Sequence, residues 1–232
     1  MPKSYQHIFF DLDHTLWDFD RNSHETLQEL FTEFELEKLG IPSFHQFFEK
    51  YKIRNEFLWK NYREGKISVT DLRLHRFSNT LSDFSIADKK ISFDISNKYM
   101  SLCPDKNHLV PNTIDILQYL QSKYELHIIT NGFHEVQMRK IKNCKIGHYF
   151  GQVITSESAG CLKPERKIFE YALALTKANK DASVYIGDSL EVDILGAKNA
   201  GLDQIFYNPR NIPHGEQITH EVQFLTELKD IL

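Results

Sequence analysis

The chain of 232 residues is poor in cysteine and has no long apolar run. Its cysteines, Cys103, Cys144 and Cys161, are odd in number, widely spaced and form no C-x-x-C pair. This usage indicates reduced thiols rather than a disulfide framework. A strand-like segment begins within a few residues of the first Met, so we expect neither a signal peptide nor a membrane anchor. These features predict a cytoplasmic location.

The chain also lacks a strong charge of either sign, an internal repeat and any low-complexity tract. Its 28 basic and 32 acidic residues leave a net charge of −4, with 41% hydrophobic residues to fill a core. A charge this small gives no global attraction to nucleic acid or to an anionic membrane. Any anionic ligand must therefore be captured by a local site. The length suits one catalytic unit that carries an insertion.

Two carboxylates follow directly on the apolar run His7–Phe10. Because side chains alternate along an extended backbone, Asp11 and Asp13 can lean toward the same cavity. Such a pair also occurs in calcium loops, but an EF-hand starting at Asp11 would need Gly and Glu where this chain has Leu16 and Asn22. The calcium interpretation fails, and one carboxylate can attack while its neighbour moves a proton.

A second apolar stretch, 125–129, ends in Thr130, Asn131 and Gly132. Thr130 can donate a hydroxyl hydrogen bond, and a glycine lets backbone N–H groups approach an anion closely. Taken alone, this segment is more typical of a plain strand-to-loop turn.

Lys163 and Pro164 precede a helical pattern. Pro164 fits the first helical position, and an apolar stripe follows at 168, 169, 172 and 173. An ammonium just ahead of a helix N-terminus favours a dianionic ligand, although a lysine is more often solvated surface.

A third apolar strand ends at Asp188, and Glu191 and Asp193 follow it closely. Asp188 is suited to ligate Mg²⁺, which prefers oxygen ligands and takes only a few of them from protein. Acidic residues at a helix start can also be simple exposed groups, and for Glu191 we adopt that interpretation.

In this order the four segments D-L-D-H-T, I-I-T-N-G, K-P and G-D-S-L-E-V-D resemble the motifs of haloacid dehalogenase-like (HAD) hydrolases, over nearly the whole chain. The chain is more specifically similar to the pyrimidine-nucleotide 5′-nucleotidases of bacteria. That likeness is carried by Phe9-Phe10-Asp11, Leu58-Trp59, Tyr62, Gly65, 130–133, Lys163-Pro164, 167–169, 171–173 and 193–196.

The predicted fold class is α/β, with a Rossmann-like core of mostly parallel strands flanked by helices. Residues 18–104 carry aromatic side chains at helix-like intervals. The resemblance implies that this insertion is an α-helical cap over a catalytic core formed by 1–17 and 105–232. Ligands bind at the carboxyl ends of such parallel strands. The strands are predicted near 7–10, 125–129, 152–155, 183–186 and 204–207.

The resemblance also implies roles. Asp11 would be the nucleophile that forms an aspartyl-phosphate, and Asp13 the acid and later the base. Mg²⁺ would be held by Asp11, the main-chain oxygen of Asp13 and Asp188. The resemblance further implies that Thr130, Asn131 and Lys163 bind the phosphate. Thr130 and Lys163 also count as catalytic. Thr15 and Asp193 would support the metal shell or Lys163.

The resemblance thus predicts a magnesium-dependent 5′-nucleotidase for pyrimidine nucleoside or deoxynucleoside monophosphates. Arg21, Trp59, Tyr62 and Arg63 are candidate substrate contacts, although an aromatic stripe at helical spacing is more often cap core. The nearest alternative is a phosphatase for a sugar phosphate or an acylneuraminate phosphate. Dehalogenation needs neither Asp13 nor magnesium, so the presence of Asp13 and Asp188 argues against it. A phosphomutase and a non-catalytic binding module stay open as alternatives. The oligomeric state is not predicted.

Overall fold

The computed structural model describes residues 4–232, and within them the chain forms one six-stranded sheet with helices between its strands. The elements are β1 (His7–Phe10), α1 (Phe19–Glu33), α2 (Phe44–Arg63), α3 (Val69–Ser82), α4 (Lys89–Leu102), α5 (Thr113–Gln121), β2 (Glu125–Thr130), α6 (His134–Asn143), β3 (Phe150–Thr155), α7 (Ser156–Ala159), α8 (Arg166–Thr176), β4 (Ser183–Gly187), α9 (Leu195–Ala200), β5 (Asp203–Tyr207) and β6 (His220–Val222).

Neighbouring strands of the sheet are parallel and run in the order β3-β2-β1-β4-β5-β6. The chain moves outward from β1 on one side through β2 and β3, and on the other side through β4, β5 and β6. Strand order therefore reverses between β1 and β4, and ligands of doubly wound sheets bind at such a reversal. The α/β prediction is confirmed.

Helices α8 and α9 cover one face of the sheet. Phe9 and Tyr185 point into this layer and pack with Ile168, Phe169 and Ala197, all fully buried. Every residue of β1 is buried, as expected for a parallel strand covered on both faces. A rigid central strand thus leads directly to the carboxylate at Asp11.

The chain divides into two compact units, one running up to Phe19 and again from Asn107 to Leu232, the other formed by Asp20–Lys106. The second unit contains α1 to α4 and has an aromatic core in which Tyr51, Phe77 and Tyr99 contact one another at ring-centroid distances of 5.3–5.8 Å. The assignment of 1–17 and 105–232 as the catalytic core, and of 18–104 as a cap over it, stays a prediction.

Five strands were predicted, and all five lie within two residues of the predicted bounds. The sixth, β6, was missed because it is only three residues long and two of them are exposed. The prediction that Pro164 takes the first helical position is wrong, because Glu165 N–H donates to Leu162 C=O in a separate turn and α8 begins at Arg166. Among residues 4–232, no helix is both long and apolar enough to cross a membrane.

Candidate active site

Three predicted site residues meet at the reversal of strand order. Asp11 follows β1 directly, Thr130 is the last residue of β2, and Asp188 follows β4 directly. Because β1 is hydrogen-bonded to both β2 and β4, the carboxyl ends of these strands are adjacent. The site therefore forms where the sheet topology predicts it.

Lys163 lies at the centre of this site, and its side chain is only 2% exposed. Its Nζ donates to Asp11 Oδ1 at 2.6 Å, to Asp193 Oδ1 at 2.7 Å and to the Tyr185 hydroxyl at 2.8 Å. Burial lowers the pKa of Lys163, but Asp11 and Asp193 outweigh that effect and raise it to about 12. The ammonium is therefore charged at every physiological pH.

Tyr185 was not predicted as a site residue, since a tyrosine inside an apolar strand looks like core. Its hydroxyl accepts from Lys163 and donates to Asp193 Oδ1 at 2.9 Å. Burial raises the pKa of Tyr185 well above its usual value, and repulsion from the charges of Asp193 and Asp11 raises it further. Tyr185 thus stays a neutral donor.

Asp11, Asp188 and Asp193 each have a carboxylate oxygen within 4.8 Å of the others. Burial raises the pKa of Asp11 well above its usual range, with the attraction of Lys163 acting in the opposite direction. Burial and the charge of Asp193 raise the pKa of Asp188 to about 7, although Lys163 and a hydrogen bond from Thr15 at 3.2 Å oppose this. Such crowding of carboxylates favours a divalent cation among them.

Asp193 differs from the other two carboxylates because both of its oxygens are engaged. Oδ1 accepts from Lys163 and Tyr185, and Oδ2 accepts from Ser189 N–H at 3.0 Å. Gly187 permits this approach, since a Cβ there would lie 2.6 Å from the Asp193 carboxyl group. Asp193 therefore holds Lys163 in position, and the interpretation of Glu191 as an exposed acid is confirmed.

Asp13 is held by two buried residues of α6 that the sequence analysis missed. Lys140 Nζ donates to its Oδ1 at 2.6 Å, and Gln137 Nε2 donates to its Oδ2 at 3.1 Å. Lys140 is 4% exposed and its Nζ lies 4.1 Å from the centroid of the Trp17 ring. The available signal was their i, i+3 spacing on the helix that follows the Thr-Asn-Gly turn.

Gln137 also links Asp13 to Thr130. Its Nε2 donates to the Thr130 hydroxyl at 2.7 Å, and Gly132 N–H donates to the same oxygen at 3.1 Å. With both acceptor positions filled, the hydroxyl proton of Thr130 is left to donate to a ligand. The structure supplies a further reason for glycine at 132, because a Cβ there would lie 2.3 Å from Gln137 Cδ.

Asn131 joins two segments of the site through its side-chain amide. Its Oδ1 accepts from Lys163 N–H at 2.7 Å, and its Nδ2 donates to Lys163 C=O at 2.9 Å. Ser156 Oγ donates to the main-chain oxygen of Asn131 at 3.1 Å. The Thr-Asn-Gly turn and the Lys-Pro turn are thereby fixed to each other.

The predicted substrate contacts lie in the helical unit. Arg21 is on α1 and its Nε is 3.2 Å from Glu25 Oε1. Trp59 and Tyr62 are on the last turns of α2 with their rings 5.8 Å apart, and Arg63 ends that helix. The structure groups three of the four, and their contact with substrate stays a prediction.

Comparison with known proteins decides the family. The family model of haloacid dehalogenase-like hydrolases matches residues 5–201. The chain is a haloacid dehalogenase-like hydrolase. The match spans all four motifs, so the predicted family is confirmed.

Two relatives of this HAD hydrolase and one solved structure are similar to it over nearly their whole length. It is 32% identical over 98% of its length, and 95% of the relative's, to the pyrimidine 5′-nucleotidase PynA of Streptococcus pneumoniae. It is also 32% identical over 97% of its length, and 96% of the relative's, to the pyrimidine 5′-nucleotidase YjjG of Escherichia coli. The crystal structure of the HAD-hydrolase YfnB from Bacillus subtilis bound to magnesium matches with a TM-score of 0.88 and 29% identity over 99% of both chains. These relatives agree with the predicted enzyme class, a HAD-family phosphatase.

Proposed function

We propose that this protein is a magnesium-dependent phosphomonoesterase that works through an aspartyl-phosphate, and that its substrates are pyrimidine nucleoside or deoxynucleoside 5′-monophosphates. The observation that carries the proposal is the different environment of two neighbouring carboxylates. Asp11 is buried against Lys163, whereas Asp13 is held by Lys140 and Gln137 with 24% of its side chain exposed. One carboxylate is suited to attack and the other to exchange protons.

In the first step a carboxylate oxygen of Asp11 attacks phosphorus and the bond to the ester oxygen breaks. A carboxylate that approaches a phosphate is repelled, by about 4 kcal/mol for two unit charges at 4 Å under an effective dielectric of 20. Lys163, 2.6 Å from Asp11, offsets this repulsion with a fixed positive charge. Asp193 and Tyr185 hold that ammonium at the nucleophile.

Asp13 transfers the proton in both steps. It protonates the departing alcohol oxygen, and it then takes a proton from the water that attacks the phosphorus of the aspartyl-phosphate. Hydrolysis releases phosphate and returns Asp11 and Asp13 to their starting states. Lys140 and Gln137 keep the carboxyl group of Asp13 in one orientation for both transfers.

The carboxylates fit a magnesium ion, because hard oxygen donors from Asp11 and Asp188 lie within 4.8 Å of each other and Asp193 is already engaged. We assign Asp11, the main-chain oxygen of Asp13 and Asp188 as the protein ligands, with Thr15 orienting Asp188. When bound, the ion supplies positive charge to the phosphoryl oxygens. Thr130, the Asn131 N–H and Lys163 orient those oxygens from the protein side.

The proposed substrate class rests on the likeness to relatives that are named pyrimidine 5′-nucleotidases. We propose that residues 18–104 are the cap and supply the contacts to base and sugar. Trp59 and Tyr62 offer partly exposed rings for stacking, and Arg21 and Arg63 offer guanidinium donors. A cytoplasmic location is part of this proposal.

The test of the chemistry is phosphate release from dUMP, dTMP, UMP, sugar phosphates and an acylneuraminate phosphate, with magnesium and with chelator. We expect the fastest release from the pyrimidine nucleotides, no release in chelator, and none from Asp11→Asn. Glu191→Gln is the matched control because Glu191 is an exposed acid beside the site. No release from any ester in the presence of magnesium would refute the phosphatase proposal.

The test of the substrate contacts compares Trp59→Ala and Arg63→Ala with Lys60→Ala, an exposed neighbour on α2. We expect the first two to raise KM for dUMP at least about tenfold with kcat nearly unchanged, because they remove binding contacts away from the reacting atoms. Release confined to sugar or acylneuraminate phosphates would keep the mechanism and refute the nucleotidase proposal.

A further inference from the structure

A second group of metal-ligating side chains lies at the amino end of the sheet, away from the candidate active site. His7 is the first residue of β1 and pairs in register with Glu125, the first residue of β2. His127 lies two residues beyond Glu125, so parallel register and strand alternation bring all three side chains to one face. Along β1, His7 and Asp11 are four residues apart, about 13 Å in an extended strand.

The three side chains converge on the His7 Nδ1 atom. It is 3.3 Å from His127 Nε2 and 3.6 Å from Glu125 Oε2, and all three ligand atoms lie within 4.8 Å of one another. Zinc binds imidazole nitrogen at about 2.0–2.1 Å and carboxylate oxygen at about 2.0–2.2 Å, so two ligands of a tetrahedral ion are about 3.3–3.5 Å apart. The separations of 3.3 and 3.6 Å from His7 Nδ1 are close to that spacing.

The two imidazoles are held before any ligand arrives. His7 and His127 are 8% and 2% exposed, and their rings stack at a centroid distance of 5.5 Å. The Phe9 ring packs against His127 at 4.9 Å. Buried rings in fixed orientations lose little conformational freedom when they bind an ion.

The competing interpretation is a hydrogen bond between the two imidazoles. At 3.3 Å such a bond is long, since N–H donors in proteins usually lie 2.7–3.2 Å from their acceptor. The other ring nitrogen of His127, Nδ1, is buried and has no hydrogen-bond partner in the part of the chain that the structure describes. The weak contact at Nε2 is therefore the polar interaction of the His127 ring that an ion would replace.

We propose that His7, Glu125 and His127 bind a transition-metal dication of the zinc class, with water as the fourth ligand. Two imidazole nitrogens and one carboxylate oxygen are the ligand set of many three-ligand zinc sites, and they disfavour magnesium, which prefers oxygen alone. The Glu125 side chain is 72% exposed, so the ion enters from solvent and the carboxylate closes on it. The bound ion ties the first residues of β1 and β2 together.

The experiment is calorimetric titration of Zn²⁺ into untagged, chelator-stripped protein in the Asp188→Asn background, which removes a ligand of the proposed magnesium site. We expect one site, lost in His7→Gln and weakened at least about tenfold in Glu125→Gln. His220→Gln, which changes an exposed histidine on β6, is the matched control and should bind like its parent. Glu125→Gln keeps the test valid if the buried histidine variant fails to fold.

A second readout is the visible absorption of bound Co²⁺, which reports nitrogen and oxygen ligation directly. We expect the absorption in the Asp188→Asn protein and its loss in the His7→Gln derivative. Absence of Zn²⁺ binding in the Asp188→Asn background, or undiminished binding in Glu125→Gln, overturns the proposal. Because this readout does not involve phosphate release, its failure would leave the proposed catalytic function untouched.

Discussion

Replacing Asp188 by Asn should make the metal-free protein more stable although it removes a proposed metal ligand. In the folded protein, burial and the nearby Asp193 raise the pKa of Asp188 to about 7, against partial compensation by Lys163 and Thr15. In the unfolded chain the same carboxyl group titrates near about 4. Folding at neutral pH therefore costs free energy to keep this group charged, and the neutral amide removes that cost.

The size and the pH window of this effect follow from the two pKa values. A difference of about 3 pH units at about 1.4 kcal/mol each gives about 4 kcal/mol, which partial solvent exposure reduces to about 2–4 kcal/mol. Below about pH 4 the carboxyl group is protonated in both states, so wild type and Asp188→Asn should be equally stable. As pH rises from about 4 to 7, wild type loses stability relative to the variant, and the gain is complete above pH 7.

The assay is urea unfolding in chelator, followed by circular dichroism at pH 5 and at pH 8. Glu191→Gln is the matched control, because it neutralises an exposed acid three residues away and should change the free energy of unfolding by less than about 0.5 kcal/mol. Added Mg²⁺ should raise the midpoint of wild type by mass action and that of Asp188→Asn by less. If Asp188→Asn is no more stable than wild type in chelator at pH 8, the carboxylates are not under electrostatic strain and the reasoning is wrong.

Two further predictions concern the support of Asp13. Gly132→Ala introduces a Cβ that would lie 2.3 Å from Gln137 Cδ, so Gln137 must move away from Asp13 and Thr130, and we expect kcat for dUMP to fall about 10–100-fold. Lys140→Met removes the 2.6 Å ion pair with Asp13, so kcat should fall at least about tenfold with KM little changed, and urea unfolding should report a loss of about 1–3 kcal/mol.

The controls for these two variants are chosen on the same residue types. Gly215→Ala places its Cβ where no atom lies within 4 Å, and Lys142→Met changes an exposed lysine on the same helix as Lys140. Both should keep wild-type kcat. A Gly132→Ala protein with normal turnover would show that Gln137 does not position Asp13, and normal turnover in Lys140→Met would show the same for the ion pair.

The part of the site that lies on strand ends could be predicted from the sequence. Asp11, Thr130 and Asp188 each follow an apolar run, and the rule that parallel strands present their carboxyl ends together is enough to group them. Lys163 was predicted by its place in the order of the motifs. It lies beside Asp11 even though α8 begins later than expected.

The part that depends on helix orientation and strand register could not be predicted. Lys140 and Gln137 belong to a polar helix, and nothing local indicates that this face is buried until Asp13, 127 residues from Lys140, is known to pair with it. Tyr185 has the pattern of a core residue. His7 and His127 come together only because β1 and β2 pair at one particular register, which single-sequence patterns do not define.

The side-chain amide of Asn131 links two stretches of chain that lie 32 positions apart in the sequence. Its Nδ2 donates to the C=O of Lys163 and its Oδ1 accepts from the N–H of Lys163, as the main chain of a neighbouring strand would. An aspartate keeps only the acceptor and a leucine keeps neither. The turn that would receive the phosphate and the turn that carries the lysine are therefore positioned as one unit, so a displacement of either turn moves the other.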